Sequence, residues 1–192
     1  MNNFQLDQIF EQEWHNKAYN YFYQGMIAQG CGYEYVTDKE RQLKGIDVIL
    51  TKPDGQQLII DEKARKKNKN KNSSIPTFGL EIYTNYGGNG KKPGWFLDET
   101  KLTTHYMFLY NDNGVDYMTI VKVEDLKKKL FSEISKYNLM NETQDNLNAL
   151  FNITMPEGSF IYDDRINWEK SRFLLLPMSY YEEIAQISRW KL

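Results

Sequence analysis

Two aspartates and a lysine, Asp47, Asp61 and Lys63, lie at the ends of two short apolar segments of this sequence. Two carboxylates held close together repel each other unless a positive charge sits between them. Mg²⁺ suits such a pair, because it binds through one or two carboxylates and keeps its other positions for water and substrate phosphate. A lysine beside the ion could orient or help deprotonate an attacking water and stabilise developing negative charge. These residue types therefore indicate metal-assisted hydrolysis, provided that the fold brings them together.

The sequence Pro53–Gly55 predicts a hairpin between the two apolar segments, residues 45–51 and 57–63. Proline suits the second position of a type I turn, and glycine supplies a residue with left-handed backbone conformation. In the register that this turn favours, Asp47 faces Asp61 on the neighbouring strand, with their Cβ atoms about 4.5–5.5 Å apart.

Lys63 is two residues beyond Asp61 and therefore lies on the same side of the predicted hairpin. The other side receives only apolar residues, namely Ile46, Val48, Leu50, Leu58 and Ile60. Register and apolar pattern agree, since a slip of one residue would turn Asp61 into the core. The alternative is an ordinary cross-strand charge cluster in which Lys63 is only the counter-ion of the two aspartates.

The sequence Gly45–Val48, the hairpin and the sequence Ile60–Lys63 together resemble the active-site signature of the PD-(D/E)XK nuclease superfamily, which has a restriction-endonuclease-like fold. In that signature an acid near the second core strand precedes an acid-x-Lys on the third. The element order is similar over roughly the first 120 residues, with isoleucine where the family name implies proline.

The resemblance implies hydrolysis of phosphodiester bonds that depends on Mg²⁺, with Mn²⁺ as a substitute. It implies that Asp47 and Asp61 bind the ion, that the backbone carbonyl of Glu62 adds a ligand, and that Lys63 acts on the water. It also implies an α/β fold with a mixed β-sheet flanked by helices on both faces.

The first predicted helix, residues 5–24, carries a glutamate, Glu13, on its apolar face. Its apolar arc is defined by Leu6, Ile9, Phe10 and Trp14. Glu13 falls inside this arc, where a carboxylate without a partner is unfavourable. Many members of the family have a glutamate on this helix that reaches the metal, so the resemblance implies Glu13 as a catalytic and metal-binding residue. Glu11, nearer the edge of the arc, is the alternative, and a simple Glu13–Lys17 pair at the boundary is a third reading.

A basic segment without any acid follows Lys63, and a glycine-rich segment, residues 86–95, adds two more lysines. The cations are Arg65, Lys66, Lys67, Lys69, Lys71, Lys91 and Lys92. In a chain whose net charge is −2, such a concentration is typical of a surface that contacts phosphates. These residues are predicted to bind nucleic acid, with DNA as the favoured partner, and a solvated loop is the equal alternative. Four nearby aromatic residues could stack on unpaired bases or pack in the core: Tyr83, Tyr86, Trp95 and Phe96.

The apolar periodicity predicts a single α/β domain over residues 1–192, with a core at about 5–122 and an extension of helices and a strand at about 123–192. Predicted strands are residues 33–37, 45–51, 57–63, 79–84, 105–110, 115–122 and 171–176. Further helices are predicted at residues 124–137, 142–151 and 179–190. Glu81, in one of these strands, could hold Lys63 or a second metal, or pack at a strand edge.

Composition limits the class of protein. With 41% hydrophobic and 15% aromatic residues, the 192-residue chain can fill a core and is not disordered. No apolar run is long enough to cross a membrane, and no secretory signal is visible, so a cytoplasmic protein without a membrane partner is expected. One cysteine and two histidines argue against a closed zinc site, which takes four Cys or His ligands. His15 and His105 have no identifiable partner in the sequence and are interpreted as structural.

The leading hypothesis is a metal-dependent endonuclease that acts on DNA. The first alternative is a nucleic-acid-binding module of the same fold that retains the acidic cluster without catalysis. The second is a structural or assembly protein whose acids form a surface ion network. The sequence does not decide whether the substrate is DNA or RNA, or whether the protein is a monomer or a homodimer.

Overall fold

The computed structural model describes residues 3–65, 77–86, 90–134, 139, 142–164 and 169–192. A π-helical turn, Tyr19–Tyr23, joins the first two helices. The helices are α1 (Asn3–Ala18), α2 (Gln24–Ala28), α3 (Lys39–Leu43), α4 (Val123–Ile134), α5 (Gln144–Thr154) and α6 (Met178–Glu182). The strands are β1 (Gly32–Tyr35), β2 (Val48–Thr51), β3 (Gln57–Ala64), β4 (Thr77–Tyr86), β5 (Lys92–Pro93), β6 (His105–Asp112), β7 (Val115–Lys122), β8 (Phe160–Asp164), β9 (Glu169–Pro177) and β10 (Ala185–Lys191).

The chain divides into two compact units whose segments alternate along the sequence. The first unit comprises Met1–Ser73, Leu102–Val123 and Ala185–Leu192, and the second comprises Ser74–Lys101 and Glu124–Ile184. Residues 74–101, in the middle of the sequence's first 123 residues, belong to the second unit, and the last strand belongs to the first unit.

The first unit contains a six-stranded sheet in the order β1-β2-β3-β6-β7-β10. The pair β3–β6 is parallel and the other pairs are antiparallel, so the sheet is mixed. Helical residues Trp14, Ala18, Phe22 and Tyr23 pack in one core with apolar residues of β2, β3, β6 and β7. The predicted α/β class with a mixed sheet is confirmed.

The buried stripe of α1 differs from the predicted arc. Trp14 and Ala18 are buried and Phe22 continues their spacing, whereas Leu6 and Ile9 are about half exposed. Ile9 lies about 140° from Trp14 around the helix, and therefore cannot share its face. The predicted arc was right for Trp14 and for Phe10, which packs against the core, and wrong for Leu6 and Ile9, because the residues that pack repeat every four positions.

All seven predicted strands and the two central helices have counterparts in the structure, but the predicted C-terminal helix over residues 179–190 is wrong. The helix α6 ends at Glu182, and Ala185–Lys191 forms β10, which pairs with β7 through two register shifts. Arg189 adopts a left-handed conformation with φ of 46° in this irregular strand. Hydrogen bonding to the open edge of β7 outweighs the local preference for helix, a tertiary effect that the sequence spacing does not contain.

The second unit has a four-stranded antiparallel sheet in the order β5-β4-β9-β8. Arg172 of β9 is buried and binds both carboxylate oxygens of Asp163 on β8, at 2.6 and 2.9 Å. Helix α4 buries Leu126, Leu130 and Ile134, which recur every four residues.

Among the helices within the described ranges, none has the length and apolar character needed to cross a bilayer.

Candidate active site

The predicted hairpin is present with the predicted register. Strands β2 and β3 pair Val48 with Ile60 and Leu50 with Leu58. In the turn, the Lys52 N–H donates to the Gln56 carbonyl at 2.8 Å, and the Gly55 N–H donates to the Lys52 carbonyl at 2.9 Å. Gly55 has a φ of +86°, a conformation that favours glycine. The turn chemistry therefore fixes how the two acidic strands face each other.

Asp47 lies one residue before β2, where the ladder becomes irregular. Its N–H donates to the Ile60 carbonyl at 2.9 Å, and its carbonyl accepts from the Val36 N–H at 2.8 Å. Its carboxylate Oδ2 accepts from the Glu62 backbone N–H at 2.8 Å. The regular ladder thus stops just short of the predicted Asp47–Asp61 pair, and the Asp47 side chain binds the β3 backbone directly.

Asp61 and Lys63 share one side of β3 and form an ion pair. Lys63 Nζ lies 2.7 Å from Asp61 Oδ1. The Asp61 side chain is only 7% exposed and that of Lys63 is 28% exposed. In the parallel neighbour β6, Tyr106 is the register partner of Asp61 and is also buried. The carboxylate therefore sits against aromatic surface, where an ionised group needs a positive partner.

The two aspartates interact strongly. Burial, together with the negative charge of Asp61, raises the pKa of Asp47 to about 8, although Lys63 and the Glu62 N–H act in the opposite direction. Burial acts against the charged form of Lys63, but Asp61, Asp47 and Glu11 outweigh it and raise the pKa of the ammonium. Near neutral pH the cluster therefore combines a permanently charged lysine with an acid pair that is reluctant to carry two negative charges.

Of the two candidate acids on α1, the structure brings Glu11 to the cluster. Partial burial raises the pKa of Glu11, Lys63 lowers it, and Asp61 raises it further. Glu11 and Glu13 are both exposed, but Glu13 lies about 200° from Glu11 around the helix, so the electrostatic contacts with Asp61 and Lys63 are what distinguish Glu11. His15, four residues after Glu11, shares its face. The alternative that the sequence left open, Glu11, is therefore the helix carboxylate that interacts with the Asp61–Lys63 pair.

The Glu62 side chain points away from Asp61 and enters a network that the sequence did not reveal. Glu62 Oε2 lies 2.9 Å from His15 Nδ1, and its Oε1 accepts from the Tyr23 hydroxyl at 2.7 Å. The other ring nitrogen of His15 lies 3.1 Å from the Tyr33 hydroxyl. His15 therefore has partners from β1 and β3, and the spacing of 47 residues to Glu62 explains why local patterns gave no indication of them.

The basic residues are only partly described. Arg65 continues from β3, with its N–H bound to the Leu109 carbonyl at 2.9 Å, and burial lowers the pKa of its guanidinium. Lys66, Lys67, Lys69 and Lys71 lie outside the described residues. In the second unit, Lys91 Nζ lies 4.6 Å from the Tyr83 ring centroid, and exposed Lys92 belongs to β5.

Glu81 also belongs to the second unit. Its carboxylate accepts from the Trp95 N–H at 3.2 Å and from the Ser171 hydroxyl at 2.9 Å. These bonds tie β4 to β9 and to the segment after β5, and they give Glu81 a structural role.

The described residues contain no cluster of three or more His, Cys, Asp or Glu side chains able to hold a metal ion. The donor set at the hairpin is Asp47 and Asp61, to which the Glu62 carbonyl can be added. In an extended strand the N–H and C=O of one residue point to the same edge, so this carbonyl faces the edge where the Glu62 N–H meets Asp47. Two carboxylates and a carbonyl are hard oxygen donors that fit Mg²⁺, which requires no larger protein set.

No protein-family model matches this chain, and no curated protein or solved structure is significantly similar to it. The structure itself shows a mixed α/β fold. The argument for a function therefore depends on the chemistry of the Asp47–Asp61–Lys63 cluster.

Proposed function

We propose that this protein is a metal-dependent nuclease of the PD-(D/E)XK type, with the six-stranded sheet as a restriction-endonuclease-like core and DNA as its substrate. The observation that carries the proposal is the junction of β2 and β3. There, Asp47 just before β2 interacts with Asp61 on β3, and Lys63 on β3 contacts Asp61. The Glu62 N–H holds the Asp47 carboxylate against β3.

Asp47, Asp61 and the Glu62 carbonyl would hold a Mg²⁺ ion, with Glu11 as a further acid nearby. Such an ion lowers the pKa of bound water and offsets negative charge on a phosphodiester. The tie from the Glu62 N–H to Asp47 fixes one carboxylate, and Lys63 fixes the other. The donors are therefore oriented before the ion binds, which reduces the entropy lost on binding.

Lys63 would act as a cation rather than as a base, because its pKa is raised by the surrounding acids. Its ammonium would orient the water and stabilise the negative charge that accumulates on the phosphate oxygens. Water adds to phosphorus and loses its proton to solvent, one P–O ester bond breaks, and the leaving oxygen takes up a proton. The products are a phosphomonoester and a free hydroxyl group.

Nicking of supercoiled plasmid tests the proposal. The parent should nick in Mg²⁺ and stop in EDTA, and Asp61→Asn and Lys63→Ala should lower the rate by about 100-fold or more. Asp54→Asn is the matched control, because Asp54 is an exposed aspartate in the turn of the same hairpin. If both site variants nick as fast as the parent, the proposal is wrong.

One observation favours a second function, binding of nucleic acid without cleavage. Lys63 already neutralises Asp61, so the cluster can persist without a metal. Isothermal titration with Mg²⁺ and Mn²⁺ separates the two functions. Saturable binding that Asp61→Asn abolishes supports the nuclease, and DNA binding with no uptake of either metal at millimolar concentration supports the binding module.

A further inference from the structure

A third charged residue, Arg65, continues the row that Asp61 and Lys63 form on one side of β3. Strand β3 pairs with β6 as far as Ala64, and the Arg65 N–H extends this ladder with a 2.9 Å hydrogen bond to the Leu109 carbonyl. Side chains alternate between the two faces of an extended strand. Because Ala64 packs against the core beneath α1, the Arg65 side chain lies on the other face, with Asp61 and Lys63.

Among the arginines that the structure describes, Arg65 alone has no carboxylate partner within the described ranges. Arg41, Arg172 and Arg189 each bind a carboxylate. Arg65 is partly buried, yet nothing in the described part of the chain binds its guanidinium. Burial lowers the pKa of this group, and no neighbouring carboxylate in those ranges offsets the effect. Since burial of an unpaired cation is unfavourable, an anion that binds from solution is favoured there.

The spacing along β3 indicates which anion this is. In the proposed function, the ion at Asp61 and the ammonium of Lys63 hold the phosphate that is cleaved. Lys63 Nζ lies 2.7 Å from Asp61 Oδ1, so this side chain extends toward Asp61 and away from Arg65. Arg65 begins about 6.6 Å further along the strand than Lys63, since each residue adds about 3.3 Å. Its guanidinium therefore serves a second anion rather than the first.

We propose that Arg65 binds the phosphate next to the one that is cleaved, so that the substrate is a strand with at least two consecutive phosphates. This inference depends on the proposed nuclease function and restricts it to polynucleotides among phosphodiesters. A polynucleotide carries a phosphate on every nucleotide, so a strand placed for cleavage brings a second phosphate close by. The planar guanidinium can bind that phosphate through two parallel hydrogen bonds.

Three thymidine dinucleotides test the inference in the parent protein. TpT contains only the bond to be cleaved, whereas pTpT and TpTp carry one additional phosphate on its 5′ or its 3′ side. We expect the parent to cleave one of the two phosphorylated dinucleotides with a kcat/KM about 10–100-fold above that for TpT, the gain from one charge-assisted contact. A parent that cleaves all three with the same kcat/KM overturns the inference.

Variants then assign this gain to Arg65. Arg65→Met keeps an apolar side chain but removes the charge, and it should lose the preference for the phosphorylated dinucleotide. Arg65→Lys, with a single ammonium in place of the planar guanidinium, should retain part of the preference. Arg41→Met is the matched control and should keep all of it, because Arg41 carries the same charge on α3 and binds Glu34. An Arg65→Met variant with the parent's preference would contradict the proposal.

Binding gives a readout that does not need cleavage. A short single-stranded DNA is titrated at several salt concentrations, with Ca²⁺ in place of Mg²⁺ as another cation that binds oxygen ligands. Loss of one phosphate contact reduces the slope of log affinity against log salt by about 0.7 for a single strand. We expect this reduction in Arg65→Met, whereas Arg65→Lys and Arg41→Met should keep the parent's slope. An unchanged slope in Arg65→Met overturns the inference.

Stability separates a ligand-binding arginine from a structural one. Removal of an unpaired, partly buried charge should leave the urea midpoint of free Arg65→Met at or above that of the parent. A variant that is unfolded, or that unfolds at a clearly lower urea concentration, would show that the guanidinium holds the fold together. Either result would overturn the assignment of Arg65 to the substrate.

Cleavage distinguishes this inference from the function on which it depends. If the parent nicks plasmid but Arg65→Met keeps both the parent's dinucleotide preference and its salt slope, the inference fails and the nuclease survives. If neither the parent nor any variant cleaves but the slope still falls in Arg65→Met, the nuclease fails and Arg65 remains a phosphate-binding residue.

Discussion

The backbone N–H of Glu62 donates a 2.8 Å hydrogen bond to Asp47 Oδ2, while the Glu62 side chain is held by His15 and Tyr23 on the opposite side of β3. One residue thus connects the acidic cluster to the core beneath α1. A shift of β3 by a few tenths of an ångström would move both aspartates relative to each other. The buried network therefore sets the geometry of the site without contacting a substrate.

Removal of the Tyr23 hydroxyl tests the importance of this connection. Tyr23→Phe leaves Glu62 Oε1 without that donor in a buried setting, and we expect the free energy of unfolding to fall by about 1.5–3 kcal/mol. Tyr110→Phe is the control, because Tyr110 is equally buried but its hydroxyl lies 3.4 Å from Thr119, a longer contact with a neutral partner. Urea unfolding measures the loss of unfolding free energy in both variants. Equal losses would show that the Tyr23–Glu62 hydrogen bond stabilises the protein no more than the Tyr110–Thr119 contact does.

The raised pKa of Asp47 predicts a stability that depends on pH in the metal-free protein. Between the ordinary aspartate value of 3.8 and about 8, the folded protein keeps a proton that the unfolded chain has released. Stability therefore falls as the pH rises through this window. Asp47→Asn should remove this contribution, up to about 1.4 kcal/mol per pH unit.

Urea unfolding in EDTA at several pH values from 5 to 8 measures the slope, with Asp54→Asn as the control. A parent and an Asp47→Asn variant with the same slope would contradict the assignment. In Mg²⁺ the parent's loss of stability should shrink, because the metal displaces the proton.

The two glutamates of α1 offer a matched comparison. Glu11→Gln should lower the nicking rate and the apparent affinity for Mg²⁺ by about 10–100-fold, because the charge of Glu11 acts on the Asp61–Lys63 pair. Glu13→Gln, on the other side of the helix, should behave like the parent. Nicking rates across a Mg²⁺ titration give both values, and the reverse result would mean that the helix presents its other face to the site.

The turn that sets the register can be tested with two glycines. Gly55→Ala should lower the free energy of unfolding by about 1–2 kcal/mol, because φ is +86° there and an L side chain is strained. An added Cβ at Gly55 or at helical Gly25 has no atom within 4 Å, so sterics cancel in the comparison. Gly25→Ala should instead stabilise the protein by about 0.5–1 kcal/mol. Thermal and urea unfolding of both variants decide the question.

The hairpin was predictable because turn residues and alternating apolar residues lie within a short stretch. Pro53–Gly55 determined the register, and the register determined which side of the strand received Asp61 and Lys63. The sequence also placed the β6–β7 hairpin, where Asn113 and Gly114 adopt positive φ, as a two-residue turn requires. Local chemistry was sufficient in both places.

Features that depend on distant residues were not predictable in this way. The partners of His15 come from β1 and β3, and the choice between Glu11 and Glu13 depends on which face of α1 the sheet covers. The last strand, β10, forms because β7 offers an open edge. In each case long-range packing, rather than residue spacing, decides the outcome.

The interleaved order of the two units has a consequence for biosynthesis. Strand β4 needs β9, and strand β7 needs β10, although each partner emerges from the ribosome dozens of residues later. Neither sheet can be completed until its late strand, β9 or β10, has been synthesised. A nascent chain therefore exposes the unpaired edges of β4 and β7 during much of its translation. We expect a protein that matures slowly after synthesis and that benefits from chaperones which shield such edges.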